Sequence, residues 1–147
     1  MSKPLILVVN DDGYEAKGLE AMVEIAKTFG EVVVVVPDRT QSATSHAITM
    51  NVPLRVNLYK TIDGVPYYRT NGTPTDCMKL GEKVVLKGRQ IDLVLSGINH
   101  GSNSSVSLLY SGTMAAAIEA TFDNIPAVGI SLQDYSADAD FTACVHY

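Results

Sequence analysis

At 147 residues the chain has the length of one domain with room for a real core, which excludes a mini-protein held together by metal or disulfide staples. Hydrophobic residues at 46% and charged residues at 18%, with 6 prolines and 11 glycines, are ordinary globular composition and exclude a disordered or fibrous chain. Eleven Lys and Arg against sixteen Asp and Glu give a formal charge of −5, with no basic stripe, so a nucleic-acid duplex is not the expected partner.

Residues 5–9, Leu-Ile-Leu-Val-Val, form a continuous apolar run of the kind that becomes a strand covered on both faces. The run is too short for a signal-peptide core and passes directly into Asn10-Asp11-Asp12. Residues 17–29 follow with helical spacing, Leu19, Met22, Val23, Ala26 and Phe29 on one face and Gly30 at the expected cap. A second buried strand is predicted over 32–36, stopped by Pro37 and followed by a polar loop over 38–46. Residues 48–59 and 65–69 read as extended segments around an Asp63-Gly64 turn, a hairpin signal.

Thr73-Pro74 gives an N-cap with proline at the first helical position, and an apolar stripe through Cys77, Leu80 and Val84 carries the predicted helix to Gly88. A third core strand over 91–95 ends in a glycine-bearing polar loop over 96–112. A helix over 114–122 and a fourth core strand over 127–132 come next. Beyond Asp138 and Asp140, candidate N-caps, Phe141, Cys144 and Val145 open a further helix. Strands alternating with helices predict an α/β fold with a mostly parallel sheet.

Cys77 and Cys144 stand far apart, without ligand-like or disulfide-framework spacing, so the expected setting is the reducing cytoplasm. No run approaches the ~20 apolar residues that span a bilayer, and no membrane partner is expected.

In an open parallel sheet, ligands bind beyond the carboxyl ends of the strands. Three loops that fall there concentrate the polar residues: Asn10-Asp11-Asp12-Gly13, residues 38–46, and Ser96-Gly97-Ile98-Asn99-His100-Gly101. Adjacent carboxylates repel unless a cation or shared proton intervenes, which makes Asp11-Asp12 a candidate site for a hard metal. The alternative is an Asp-Gly turn with a helix cap. Further oxygen donors are available at Ser42 and Asn99, and an all-oxygen set favours Mg²⁺, Mn²⁺ or Ca²⁺ over zinc. Tyr110-Ser111-Gly112-Thr113 precedes an alanine-rich helix, where hydroxyls and free N–H groups suit a phosphate; simple capping is the competing explanation. The chain has neither a dinucleotide glycine fingerprint nor a P-loop. His46 is a candidate for assisting the leaving group, against the plainer role of a hydrogen-bonded loop histidine; His100 carries the same ambiguity.

These blocks, in order, resemble the SurE family of stationary-phase survival proteins: Ile6 to Tyr14, Val36-Pro37-Asp38-Arg39 with Gln41-Ser42-Ala43, Gly72-Thr73-Pro74-Thr75-Asp76-Cys77, the Ser96 block and the Tyr110 block. The resemblance implies a Rossmann-like three-layer fold and a metal-dependent 5'/3'-nucleotidase or acid phosphatase. It implies a divalent metal, Mg²⁺ or Mn²⁺, on Asp11, Asp12, Ser42 and Asn99, with Ser42 chosen over Ser45 on this ground alone. It places Asn103, Ser111, Gly112 and Thr113 around the phosphate, with Asn10 counted beside them. Asp11, Asp12 and His46 form the expected catalytic set. Substrates would be nucleoside monophosphates, with polyphosphate in addition, and the assembly a homodimer or homotetramer. Residues 104–107, Ser-Ser-Val-Ser, depart from the glycine and acidic residue many members carry there. Family members are also longer, so residues 1–147 are expected to be the N-terminal portion of a single SurE-like nucleotidase domain whose C-terminal part is absent.

Two rival readings are a receiver-like phosphoacceptor domain and an inactive metal- or nucleotide-binding fragment. The receiver would need an aspartate ending the third strand and a lysine after the last, where Ser96 and Gln133 stand.

Overall fold

A computed structural model describes residues 3–146. Six strands form one sheet: β1 (Leu5–Val9), β2 (Glu31–Pro37), β3 (Val56–Ile62), β4 (Val65–Thr70), β5 (Leu93–His100) and β6 (Ala127–Leu132), in the order β3-β4-β2-β1-β5-β6. Every neighbouring pair is parallel except the β3–β4 hairpin. Its two-residue turn has Asp63 at φ 50° and Gly64 at φ 81°, the left-handed pair that matches the twist of a tight hairpin.

The helices are α1 (Lys17–Phe29), α2 (Pro74–Leu80), α3 (Ser107–Tyr110), α4 (Gly112–Phe122) and α5 (Thr142–His146). Alternation along β1 assigns its two faces. Ile6 and Val8 pack with Leu19, Met22 and Ala26 of α1, while Leu5, Leu7 and Val9 pack with Cys77 and Met78 of α2 and Ala116 and Ala120 of α4. The result is a three-layer α/β architecture: the strand and helix pattern implies the α/β class with its mostly parallel sheet, and the family resemblance implies the three layers. None of the described helices is long and apolar enough to cross a membrane.

Several predicted boundaries move; β5 starts at Leu93 instead of 91, α4 at Gly112 instead of 114, and α3 forms within the segment expected as a loop. The helix expected to run from Thr73 to Gly88 is α2 followed by a π-helical turn, Gly81–Val85. There the Leu86 N–H reaches back to Gly81 O, and Leu7 fills the place a Gly81 side chain would take. The extended segment expected from 48 becomes a strand only at Val56, because residues 48–55 are tied to α2 and its N-terminal loop through Thr49 to Asp76 and Arg55 to Asn71 rather than to a neighbouring strand. The polar segment expected as a loop from Ser96 continues β5 to His100, since β1 pairs through Ser96 and β6 through His100.

Two placements matter for a site. The chain leaves β1 toward β2 on one side of the sheet and later returns to β5 on the other, so the strand order switches between β1 and β5, where carboxyl ends open a crevice. Gly18 of α1 then lies directly on β5: a Cβ there would stand 2.0 Å from Ile98 O.

Candidate active site

The loop after β1 is built from inside. Asn10 is buried and spends its side chain on Gly13, donating to Gly13 O at 2.8 Å and accepting the Gly13 N–H at 3.2 Å. That brace turns the backbone so that Asp11 and Asp12 face the crevice. Loop 38–54 is laced to the same two residues, with Gln41 N–H donating to Asp11 O at 2.7 Å and the Thr40 hydroxyl to Asp12 O at 3.2 Å. Ser42 follows immediately.

From the other side, β5 gains one residue relative to β6 between Ser96 and Asn99, a bulge of the kind that re-aims side chains at a strand end. Ser96 points inward and donates to Thr113 O at 2.7 Å, fixing the start of α4 against the sheet. Asn99 turns outward; its amide nitrogen donates to Gly101 O at 3.2 Å, which orients Oδ1 as the oxygen left for a ligand. Asp11, Asp12, Ser42, Asn99, Asn103 and Ser111 line one cavity of about 460 Å³, together with His100, Tyr110 and Tyr135.

The electrostatics of the acid pair are set by burial. Burial pushes the Asp11 carboxyl up to about 6 against the pull of its Thr113 hydrogen bond, and the neighbouring Asp12 charge adds to the rise. Asp12 is raised for the same first reason, opposed by His100. Asp12 Oδ2 is buried with no hydrogen-bond partner among the described residues. A buried, unpartnered carboxylate oxygen beside a second carboxylate is costly without a compensating charge. The donor set fits a hard divalent cation: two carboxylates and two neutral oxygens around one cavity. No cluster of three or more His, Cys, Asp or Glu competes among the described residues.

The phosphate-binding candidates separate. Asn103 and Ser111 reach the cavity; Asn103 Nδ2 is held at 2.5 Å by Ser131 Oγ, and the Ser111 hydroxyl caps α4 by accepting Met114 N–H at 3.1 Å. Gly112 and Thr113 lie behind it. Thr113 is fully buried with its hydroxyl on Asp11 Oδ1 at 2.8 Å, and a Cβ on Gly112 would come within 3.0 Å of Asp11 Cβ. Asn10 is likewise a brace and not a wall.

His46 is not brought to the cavity. Its Nε2 lies 2.6 Å from Glu119 Oε2 of α4, its ring stacks on Phe122, and Lys79 of α2 pairs with the other Glu119 oxygen. Tyr135, which sequence reasoning passed over, does line the cavity. Its only advance signal was position, three residues beyond the end of a core strand.

An acid pair, a serine loop and an asparagine at the switch point of a parallel sheet, beside a capped helix start, define an α/β protein with one polar, oxygen-lined crevice. The model of the family described as Survival protein SurE matches residues 6–147, and the chain belongs to that family. It is 56% identical over 142 residues to 5'-nucleotidase SurE of Cytophaga hutchinsonii, covering 97% of this chain and 55% of the relative. To 5'-nucleotidase SurE of Flavobacterium psychrophilum it is 51% identical, covering 96% of this chain and 55% of that one. The crystal structure of the SurE protein from Aquifex aeolicus superimposes with a TM-score of 0.86 at 39% identity, over 97% of this chain and 56% of that one. The chain thus spans about half the length of the curated relatives it matches.

Proposed function

We propose that the chain carries the catalytic loops of a metal-dependent phosphomonoesterase that hydrolyses nucleoside 5'- and 3'-monophosphates to nucleoside and phosphate, with polyphosphate as a further substrate. The observation that carries the proposal is the buried, unpartnered Asp12 oxygen beside Asp11 in a cavity shared with Ser42 and Asn99. Membership of a family whose curated relatives are named 5'-nucleotidase supports the substrate class.

Asp11, Asp12, Ser42 and Asn99 would hold Mg²⁺ or Mn²⁺. When bound, such an ion neutralises phosphoryl charge and lowers the pKa of water. Ser111, at the start of α4, and Asn103, both on the cavity wall, meet the phosphate oxygens. Thr113 holds the Asp11 carboxylate in one orientation, and Asn10 holds the turn. For His46, the contact with Glu119 supports anchoring of loop 38–54, which carries Ser42, instead of contact with the substrate.

Self-association as a dimer or tetramer is supported by exposed Val106, Leu109, Tyr110 and Phe122 on and around α3 and α4. A cytoplasmic setting is supported by the two free cysteines, Cys77 and Cys144.

Phosphate release from a panel of nucleoside monophosphates, with and without Mn²⁺, tests the reading. The proposal predicts turnover only with the metal. Tight metal binding without any turnover would assign the chain to the binding-fragment alternative.

A further inference from the structure

If the phosphate sits over the acid pair, the rest of the cavity must receive the leaving group. The deep end is polar, with Asp11 buried; carbon surface enters at the mouth, chiefly from Tyr110 and Tyr135. Tyr135 is 78% exposed, yet it is held in place. Its ring packs on Gly101, where φ is +104° and a Cβ would stand 2.4 Å from Tyr135 Cε1, so any other residue at 101 would displace the ring. Its hydroxyl accepts the Ser102 N–H at 3.4 Å. The turn that presents it is closed by Asp134 N–H to Leu132 O and by Ser136 N–H to Asp134 Oδ1, both 2.8 Å. One part of the ring is thus docked on backbone while the remainder stays open to solvent beside the cavity.

We propose that Tyr135, docked on Gly101 and Ser102 at the mouth of the acid-pair cavity, is the stacking platform for the nucleobase of the substrate. The proposal rests on the phosphomonoesterase reading and names the group that reads the nucleoside half. A pre-placed aromatic face loses little conformational freedom on binding, and base stacking on such a face tolerates every base because each has a π surface. The cavity volume of about 460 Å³ is within the range of small-ligand sites. Discrimination among bases should therefore be shallow, with the larger purines favoured over pyrimidines.

The test uses the full-length enzyme with AMP and with ribose 5-phosphate, which presents the same phosphoester without a base. Tyr135→Ala is expected to raise KM for AMP about tenfold, the lower half of what one base stack contributes, while kcat and all parameters for ribose 5-phosphate stay within about twofold. Tyr135→Phe keeps the ring and loses only the hydroxyl, so it should restore AMP kinetics. Equal losses on both substrates, or failure of Tyr135→Phe to rescue, would overturn the proposal in favour of a loop-ordering role through Ser102. A wild type that hydrolyses neither ester contradicts the phosphatase reading alone. Stacking is then read by calorimetry, where Tyr135→Ala must bind AMP about tenfold more weakly than Tyr135→Phe, and equal affinities would overturn it.

Discussion

The Thr113 hydroxyl donates a 2.8 Å hydrogen bond to Asp11 Oδ1 across 102 residues of sequence, with both side chains buried. It ties the start of α4 to the end of β1 and fixes which Asp11 oxygen faces the cavity. Thr113→Val keeps the shape and removes the donor. The expected cost is about 1–3 kcal/mol in urea unfolding, because a buried carboxylate oxygen loses its partner. Since this bond pulls the Asp11 pKa down, its loss should also move the acidic limb of metal binding to higher pH.

Asp11 titrates near 6 in the folded chain against an ordinary value of 3.8, and Asp12 is raised as well, both first through burial. A folded pKa above the unfolded one means that stability is fully present below about pH 4 and is lost as pH rises through about 6. For Asp11 alone the loss is about 3 kcal/mol. Asp11→Asn, which mimics the protonated acid, should therefore stabilise the metal-free protein at pH 8 by about 1–3 kcal/mol and leave it unchanged near pH 4. Thermal unfolding in EDTA at the two pH values checks this. Added Mg²⁺ should stabilise the wild type more at pH 8 than at pH 5, because the ligands must be ionised.

Glu119 reports on the loop. Burial raises its pKa, but Lys79 and His46 outweigh burial and the net shift is downward. The stability this contributes is present above its ordinary value of 4.5 and lost as pH falls below it. Glu119→Gln should cost about 1 kcal/mol at pH 7, a figure held down by solvent screening of the half-exposed Lys79 and His46, and progressively less as the pH falls below 4.5. With the His46 anchor weakened, the loop carrying Ser42 should need more Mn²⁺ for half-maximal activity. An unchanged Mn²⁺ requirement would separate His46 from Ser42.

Gly18→Ala sets helix propensity against packing. Alanine gains up to about 1 kcal/mol in a helix interior and less in the first turn, where Gly18 stands. A Cβ placed 2.0 Å from Ile98 O, however, meets a carbonyl fixed in the sheet, so α1 must move off β5. The net expectation is a destabilisation of about 1–3 kcal/mol by urea unfolding. A neutral or stabilising result would contradict the close packing of α1 on β5.

The sequence made the core strands and their order of appearance readable because runs such as residues 32–36 have no other way to be buried. Thr73-Pro74 also announced α2, and the structure supplies the full capping box with Asp76. Harder to see was β5 beyond Leu95. Ser96, Gly97 and Asn99 carry no strand propensity and are held extended by β1 and β6, a tertiary effect. The acid pair and Asn99 could be read as candidates because oxygen donors at strand ends have a chemistry of their own, whereas Ser42 is separated from Ser45 only by the family resemblance. That His46 turns toward Glu119, 73 residues away, and that Tyr135 returns over Gly101, depends on how separate loops fold back, which no local pattern encodes.

The most direct test of the central claim is Mn²⁺-dependent phosphate release from AMP by the wild type and by Asp12→Asn at pH 7. Metal binding to both is followed by calorimetry. The account predicts turnover by the wild type only with Mn²⁺, with Asp12→Asn losing at least about a hundredfold in kcat/KM, about 3 kcal/mol of transition-state stabilisation, and binding the ion more weakly. Equal turnover by the two proteins, or turnover independent of the metal, would contradict it.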